Sequence, residues 1–270
     1  MRATSLHVYP VKGCHRVDLV DAEVQPWGLS GDRRWMPVDA GGKVVSQREE
    51  PRLALVRPSI VDNGLVLAAP GMPEVKVPAI AGRQVDVDIW GYRLPASPAG
   101  ADVDGWFAEY LGYPLRLVWL DDPTRRVVNQ KYGAPGDRVS FADGYPLLLA
   151  NAASLDELND WIAGGDHPQE GPLPMTRFRP NVVVEGAPAW AEDGWLGRRI
   201  RIGEVVFRAA KPSDRCVMTT QDQETGAKGR EPLRTLAKHR EVNQLLLFGT
   251  NLIPDGTGTL HIGDRVEVLG

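Results

Sequence analysis

Cys216, one of the two cysteines in the 270-residue chain, directly follows Asp214 and Arg215. A fixed positive charge beside a cysteine favours the thiolate, the form that attacks electrophiles and binds metals. Free cysteine also packs as a small apolar residue, so burial for packing alone is the alternative. No second cysteine or histidine lies at zinc-ligand spacing from Cys216, which disfavours a tetrahedral zinc site.

Three short basic segments lie at predicted strand ends: YPVKGC around Lys12, GDRRW around Arg33 and RFRPN around Arg179. Taken alone, each fits a solvated strand end. Together with Arg215 they would form a pocket for a phosphorylated or otherwise anionic ligand. Such a pocket must be local, because 31 basic and 35 acidic residues give the chain a net charge of −4. That balance does not indicate nucleic-acid binding.

The elements that must position these residues are predicted to be mostly strands. Glycine (29) and proline (22) are spread along the chain and suit short strands joined by turns. The sequence DNG at 62–64 predicts a hairpin, and a Gly-Asp turn near the C-terminus joins two short strands. Apolar or alternating runs of strand length occur at 53–56, 85–90, 115–120, 181–184 and 205–208.

Helix signals are fewer. They predict one helix over 102–111, one that opens with a capping box at Ser154 and runs through Trp161, and one that opens at Glu231-Pro232. The polar segment 121–137 is interpreted as a linker. The predicted fold class is therefore mainly β with a few helices (α+β), with domains at 1–120 and 121–270.

Several classes of function lack their motifs in this sequence. It has no Gly-x-Ser-x-Gly, Walker A or Gly-x-Gly-x-x-Gly pattern, which disfavours a hydrolase, a kinase and a dehydrogenase. Two cysteines are too few for a disulfide framework. The N-terminus has no apolar signal region and no run of about 18 apolar residues occurs, so we expect a cytoplasmic protein without membrane or nucleic-acid partners.

Six motifs, taken in chain order, carry a family resemblance over almost the whole chain. They are YPVKGC, GDRRW, QREEPRL, FADGYP, RFRPNVVVEG and SDRCVMTTQDQETG. The chain resembles MOSC-domain proteins, in the branch that contains the mitochondrial amidoxime reducing component and YcbX-type proteins. The resemblance implies an N-terminal β-barrel-like domain over 1–120 and a MOSC β-barrel domain over 121–270.

The resemblance also implies a molybdenum cofactor, with Cys216 as the metal ligand and catalytic residue. A soft thiolate suits a metal that dithiolene sulfurs already bind. Arg215 would help to keep this thiol deprotonated, and Ser213 could donate a hydrogen bond to the site. The backbone amides of Gly13 and of the turn 143–145 could donate hydrogen bonds to the cofactor. Pyridoxal phosphate is not expected. The cofactor-binding residues implied are Lys12, Gly13, Arg33, Asp143, Gly144, Tyr145, Arg179, Asn181, Ser213, Arg215 and Cys216.

Three functions stay open at this point. The first is a molybdenum-dependent oxidoreductase that reduces N-hydroxylated small molecules, such as amidoximes and N-hydroxylated bases, to amines or imines. Two cysteines cannot hold a [2Fe–2S] cluster, so the electron donor is expected to be a separate ferredoxin-like or flavodoxin-like protein with its reductase. The second is a sulfur-carrier or cofactor-handling protein that uses a Cys216 persulfide. The third is a non-catalytic anion-binding barrel with a buried cysteine.

Overall fold

The computed structural model describes residues 1–270 and is mainly β, which confirms the predicted fold class. Three α-helices accompany nineteen strands: α1 (Ala101–Leu111), α2 (Ala152–Ala163) and α3 (Leu233–His239). The strands are β1 (Arg2–Val8), β2 (Val17–Leu19), β3 (Asp21–Gln25), β4 (Gly28–Leu29), β5 (Trp35–Val38), β6 (Arg57–Val61), β7 (Gly64–Ala68), β8 (Val75–Pro78), β9 (Val85–Ile89), β10 (Tyr92–Pro98), β11 (Arg116–Trp119), β12 (Leu147–Asn151), β13 (Val182–Glu185), β14 (Arg199–Ile202), β15 (Val205–Asp214), β16 (Glu241–Val242), β17 (Leu245–Pro254), β18 (Gly258–His261) and β19 (Val266–Leu269).

The largest sheet has nine strands in the order β19-β14-β15-β17-β12-β13-β1-β2, with β16 paired to β17. All its pairs are antiparallel except β12 with β13, where Leu149 is opposite Val182. The first strand of the chain enters this sheet beside β13, with Leu6 opposite Val182. Its buried face, which includes Leu149, Val182 and Phe207, forms the largest apolar core of the protein.

The smaller sheets are built mostly from the N-terminal half. One has the order β5-β11-β10-β9 and another the order β6-β7-β8. Helix α1 contributes Val103 and Phe107 to an apolar core that also contains side chains of β7 and β11. A third sheet, β18-β3-β4, pairs a C-terminal strand with two N-terminal ones. The division at residue 120 stays a prediction, and strands from each half hydrogen-bond to strands of the other.

Several local predictions are confirmed. Helix α1 ends at Gly112, whose φ of 75° places it in the left-handed region that glycine adopts readily. The 62–64 turn joins β6 to β7, with Val61 opposite Gly64. Short strands also lie at 85–89, 116–119, 182–185 and 205–214. None of the helices has the length and hydropathy needed to cross a membrane.

Two local predictions are wrong. Residues 53–56 do not form a strand, because Pro51 begins a 3-10 turn (Pro51–Leu55) that the Glu50 side chain caps. Helix α2 begins before Ser154: its N-cap is Asn151, whose side chain accepts from the amide of Ala153 at 3.2 Å. The hydroxyl of Ser154 instead donates to the buried carboxylate of Glu192 at 2.8 Å.

Candidate functional site

One cavity of about 510 Å³ lies between loops from both halves of the chain. Segments more than a hundred residues apart in sequence converge on it, as the three basic motifs predicted. All the residues named from the sequence line it: Lys12, Gly13, Arg33, Asp143, Gly144, Tyr145, Arg179, Asn181, Ser213, Arg215 and Cys216. What they bind there stays a prediction, whereas their convergence is a feature of the structure.

The two cysteines have different surroundings. Cys216 follows the end of β15, is partly exposed and lines the cavity. Its carbonyl accepts hydrogen bonds from the amide and hydroxyl of Thr219, which hold a 3-10 turn (Val217–Thr220) next to it. Cys14 is fully buried among apolar side chains, and burial raises its pKa to about 12. The alternative of a cysteine buried for packing therefore describes Cys14, not Cys216.

Arg215 lies beside this thiol in the cavity wall without a carboxylate partner. Its guanidinium donates to Ser213 Oγ at 2.8 Å and to the carbonyl of Phe178 at 2.7 Å, while its Nε has no partner. Burial lowers the pKa of Arg215. Because Ser213 accepts the hydrogen bond from Arg215, its own hydroxyl hydrogen remains available to another acceptor.

Two more arginines lie close to one aromatic ring. The guanidinium carbons of Arg33 and Arg179 lie 4.4 Å and 4.1 Å from the centre of the Tyr9 ring. Both arginines adopt the left-handed backbone region, with φ values of 46° and 55°. Burial raises the pKa of Tyr9 to about 12, so its ring stays neutral and electron-rich. Such stacking orients two like charges towards one cavity.

The two arginines differ in how their charge is compensated. Burial lowers the pKa of Arg33, but the carboxylate of Asp32 at 2.6 Å outweighs this and raises it overall. Arg179 is 7% exposed, and its guanidinium donates to the uncharged Gln223 side chain at 3.0 Å. Burial lowers its pKa to about 10. A buried cation without a counter-charge is costly, so an anionic ligand would complete the site.

Lys12 is buried in the cavity wall and points at the turn that carries Asp143. Its Nζ donates to the carbonyl of Phe141 at 2.9 Å and to the carboxylate of Asp143. Burial lowers the pKa of Lys12 to about 8 despite the opposing effect of that carboxylate. The Asp143 side chain is 60% exposed at the cavity mouth. Partial desolvation by the cavity wall raises its pKa, but Lys12, with Trp90 and Arg48, lowers it overall.

The backbone around the cavity offers donors that the protein does not use. The amides of Gly13, Asp143, Gly144 and Tyr145 donate to no protein group. Gly13 has a φ of 82°, which an L side chain would strain, whereas a side chain at Gly144 would enter open space. These amides match the predicted role of backbone donors to an anion.

The Asn181 side chain forms most of its hydrogen bonds with protein groups, which leaves little of it for a ligand. Its Oδ1 accepts from Arg33 Nη1 at 3.2 Å and from the amide of Leu148 at 3.1 Å, and its Nδ2 donates to the carbonyl of His7 at 3.1 Å. One Nδ2 hydrogen remains for a ligand. Its main visible effect is to fix the direction of Arg33.

Sequence reasoning missed three supporting residues. Tyr9 lies at the end of a predicted strand, where nothing indicates its contact with the arginines. Nothing in the sequence indicates that the Gln223 side chain accepts a hydrogen bond from Arg179. Arg126 lies in the segment interpreted as a linker, yet it is buried and donates to the carbonyls of Ser140, Ala142 and Asp143. An arginine in a polar segment gives no sign of burial, because burial here depends on distant chain segments.

The charge balance of the cavity is opposite to that of the whole chain. Two acidic side chains, Asp143 and Asp214, line it against eight basic ones: Lys12, Arg33, Arg48, Lys131, Arg177, Arg179, Lys211 and Arg215. The cavity therefore combines a single partly exposed thiol, an excess of positive charge and unused amide donors. This set suits a phosphate-bearing ligand that also presents a soft metal to the thiol.

Two family models match the chain: a MOSC N-terminal beta barrel domain over residues 1–114 and a MOSC domain over residues 136–267. The human protein named mitochondrial amidoxime-reducing component 1 is 31% identical over 285 aligned positions, which cover 98% of this chain and 82% of that protein. Rat mitochondrial amidoxime reducing component 2 is 32% identical over 281 positions, covering 96% and 80%. A rice (Oryza sativa subsp. japonica) molybdenum cofactor sulfurase is 30% identical over 264 positions, covering 91% of this chain but 31% of that protein.

Proposed function

Because this chain belongs to the family of MOSC proteins with a MOSC N-terminal β-barrel domain, we propose that it is a molybdenum-cofactor-dependent oxidoreductase. Its substrates would be N-hydroxylated compounds, such as amidoximes and N-hydroxylated bases, which it reduces to amines or imines. Relatives named for amidoxime reduction and for the molybdenum cofactor support the proposal.

One observation carries the proposal: the partly exposed thiol of Cys216 lines the same cavity as Arg179 and Arg215, two cations without carboxylate partners. A purely structural barrel would have no need for a buried guanidinium group and a half-buried one that both lack a carboxylate partner. A ligand that combines phosphate with a thiophilic metal would bind both the arginines and the Cys216 thiol.

The residues present fit the cofactor. Cys216 would be the protein ligand to molybdenum, and Lys12, Arg33, Arg179 and Arg215 would neutralise the anionic groups. The unused amides of Gly13 and of residues 143–145 would donate to phosphate or pterin acceptors. Tyr9 and Asn181 would hold the arginine side chains in place before the cofactor arrives, so that binding costs less ordering of long side chains.

Reduction of an amidoxime to an amidine consumes two electrons and two protons and releases one water molecule. The molybdenum cofactor, when bound, supplies the two-electron chemistry that removes the oxygen. The chain fixes the cofactor through Cys216 and the basic side chains and forms the wall through which the substrate enters. The two cysteines of these 270 residues are too few for a [2Fe–2S] cluster, and the proposed source of electrons is a ferredoxin-like or flavodoxin-like donor.

The direct test uses protein purified from a host that makes the molybdenum cofactor. We expect close to one molybdenum per chain and conversion of benzamidoxime to benzamidine with a chemical one-electron reductant. Protein from a host that cannot make the cofactor serves as the control and should be inactive. Full molybdenum loading without any benzamidine formation would contradict the proposed reaction.

A second candidate is a sulfur-carrier or cofactor-handling protein, which the similarity to a molybdenum cofactor sulfurase favours. In that case Cys216, partly exposed at the cavity, would carry sulfur as a persulfide. Mass spectrometry of the intact chain separates the two functions. A persulfide on Cys216 together with no amidoxime turnover would favour the sulfur carrier.

A further inference from the structure

Trp90 lines the cavity but is not among the residues assigned above to the cofactor. It lies in the tight turn between β9 and β10, in the N-terminal half of the chain. Trp90 and Gly91 have φ values of 56° and 87°, the pattern of a turn that favours Asn-Gly. A bulky aromatic residue in the left-handed region is strained, so this position carries tryptophan at a cost to the fold.

Three contacts fix the orientation of this indole. Its Nε1 donates to Asp143 Oδ1 at 3.1 Å, and Arg48 and Lys12 lie 5.0 Å and 5.6 Å from the ring centre. The residue is nevertheless 42% exposed. An oriented aromatic ring that keeps this much exposed surface beside two cations can offer part of that surface for stacking to a group that enters the cavity.

Other side chains of the cavity indicate what would stack there. Tyr132, which is 40% exposed, lines the same cavity, and Met218 and Leu245 add apolar side chains to its wall. The two cations at the indole disfavour a positively charged ring. The matching occupant is a flat aromatic group without a positive charge.

We propose that Trp90 is a specificity-determining residue that stacks on the aromatic part of an N-hydroxylated substrate. The inference rests on the proposed function and narrows its substrate class to N-hydroxylated compounds that carry a flat aromatic group. Small aliphatic counterparts would lack this contact and bind more weakly.

The test compares kcat/KM for benzamidoxime and for acetamidoxime, driven by a chemical reductant. Trp90→Asn keeps a residue that suits this turn, so the variant is expected to fold with an equal or higher Tm. Trp90→Asn should lower the ratio of kcat/KM for benzamidoxime to kcat/KM for acetamidoxime about tenfold, mainly by raising KM for benzamidoxime. A tenfold change corresponds to ~1.4 kcal/mol of stacking. Trp90→Phe should retain most of the ratio. Tyr113→Asn, which changes an exposed aromatic residue outside the cavity, should not alter it.

An unchanged ratio in Trp90→Asn overturns the proposal. If the ratio is unchanged while molybdenum content falls, the indole contacts the cofactor instead of the substrate, which also overturns it. If wild-type protein loaded with molybdenum reduces neither compound, the proposed function fails, and calorimetric titration of both compounds then tests Trp90 separately. An affinity for benzamidoxime that falls about tenfold in Trp90→Asn supports the stacking role; equal affinities overturn it.

Discussion

At the scale of single residues, the environment of Lys12 makes ligand binding depend on pH. Its ammonium group is buried, bonded to the carbonyl of Phe141 and to Asp143, and its pKa is lowered to about 8. In the free protein Lys12 is therefore charged below about pH 8 and increasingly neutral above it. An anion binds best to the charged form, so binding above pH 8 must take up a proton.

We therefore predict that anion affinity is flat below about pH 8 and falls above it by up to tenfold per pH unit. Sulfate is a suitable probe because it does not titrate in this range, and calorimetry measures its Kd. A Cys216→Ser background removes ionisation of the thiol. Lys12→Arg should abolish the decline, because a guanidinium stays charged. A decline that persists unchanged in Lys12→Arg would show that another group is responsible.

The sequence predicted the residues with specific side-chain chemistry and missed those that hold them. Cys216 and the three basic segments stand out by residue type, and the family resemblance then assigned roles to Lys12, Arg33 and Arg179. Tyr9, whose ring lies close to two guanidinium groups, could not be identified, because its role depends on a contact with a segment 170 residues away. Trp90 lies in a strand-like alternation, where nothing indicates that a turn would aim it into the cavity.

At the scale of elements, Glu224 joins the loop after Cys216 to the N-terminal strands. Its carboxylate accepts from Arg16 at 2.8 Å, from His15 at 2.9 Å and from Arg57 at 2.7 Å. These hydrogen bonds, with the one from Arg16 the largest effect, lower the pKa of Glu224 to about 2. A carboxyl group whose pKa is lowered on folding stabilises the fold at pH values above its ordinary pKa. That stabilisation is lost as the pH falls towards 2.

We predict that Glu224→Gln lowers the Tm by ~2–4 °C at pH 7, since a partly exposed ion pair contributes no more than about 1 kcal/mol. The difference from wild type should shrink as the pH falls from about 4.5 towards 2. Thermal unfolding followed by circular dichroism over this range measures it. Glu74→Gln, which changes a carboxylate outside every ion pair found, is the control. A difference that is constant with pH would contradict the linkage.

Local sequence patterns predicted helix ends and turns correctly where short-range backbone geometry determines them. Helix α1 stops at Gly112 because of backbone geometry that glycine alone accepts easily. The Ser154 capping box was misleading, since a buried carboxylate on Glu192 competes for that hydroxyl. The two C-terminal strands exist as predicted but do not pair with each other: β18 joins β3 and β19 joins β14. Pairing between distant strands is decided by the packed core, which no local pattern contains.

At the scale of the whole molecule, charge is distributed unevenly. The chain has a net charge of −4, yet basic side chains dominate the cavity and two of them, Arg48 and Lys131, are exposed at it. A positive patch on a negative protein orients an acidic partner towards one face. Under the proposed function, this arrangement would favour docking of an acidic electron-donor protein close to Cys216.

We predict that turnover driven by a ferredoxin or flavodoxin falls at least tenfold between low and high salt, whereas turnover driven by a small uncharged reductant changes little. The combined change Arg48→Gln and Lys131→Gln should reproduce most of that loss at low salt. Arg93→Gln, an exposed arginine outside the cavity, is the control. Equal salt dependence with both kinds of reductant would contradict docking at this patch.

The central claim is that the Cys216 thiol is the functional ligand in a molybdenum site, and one comparison of variants tests it most directly. Wild type, Cys216→Ser and Cys14→Ala are purified from the same cofactor-producing host, and molybdenum content and benzamidoxime reduction are measured on each. Serine is a harder and less acidic ligand, so we expect Cys216→Ser to lose benzamidoxime reduction. Cys14→Ala, which alters only a buried packing residue, should keep it at a temperature where the variant is folded. Equal rates per molybdenum for wild type and Cys216→Ser would contradict the account.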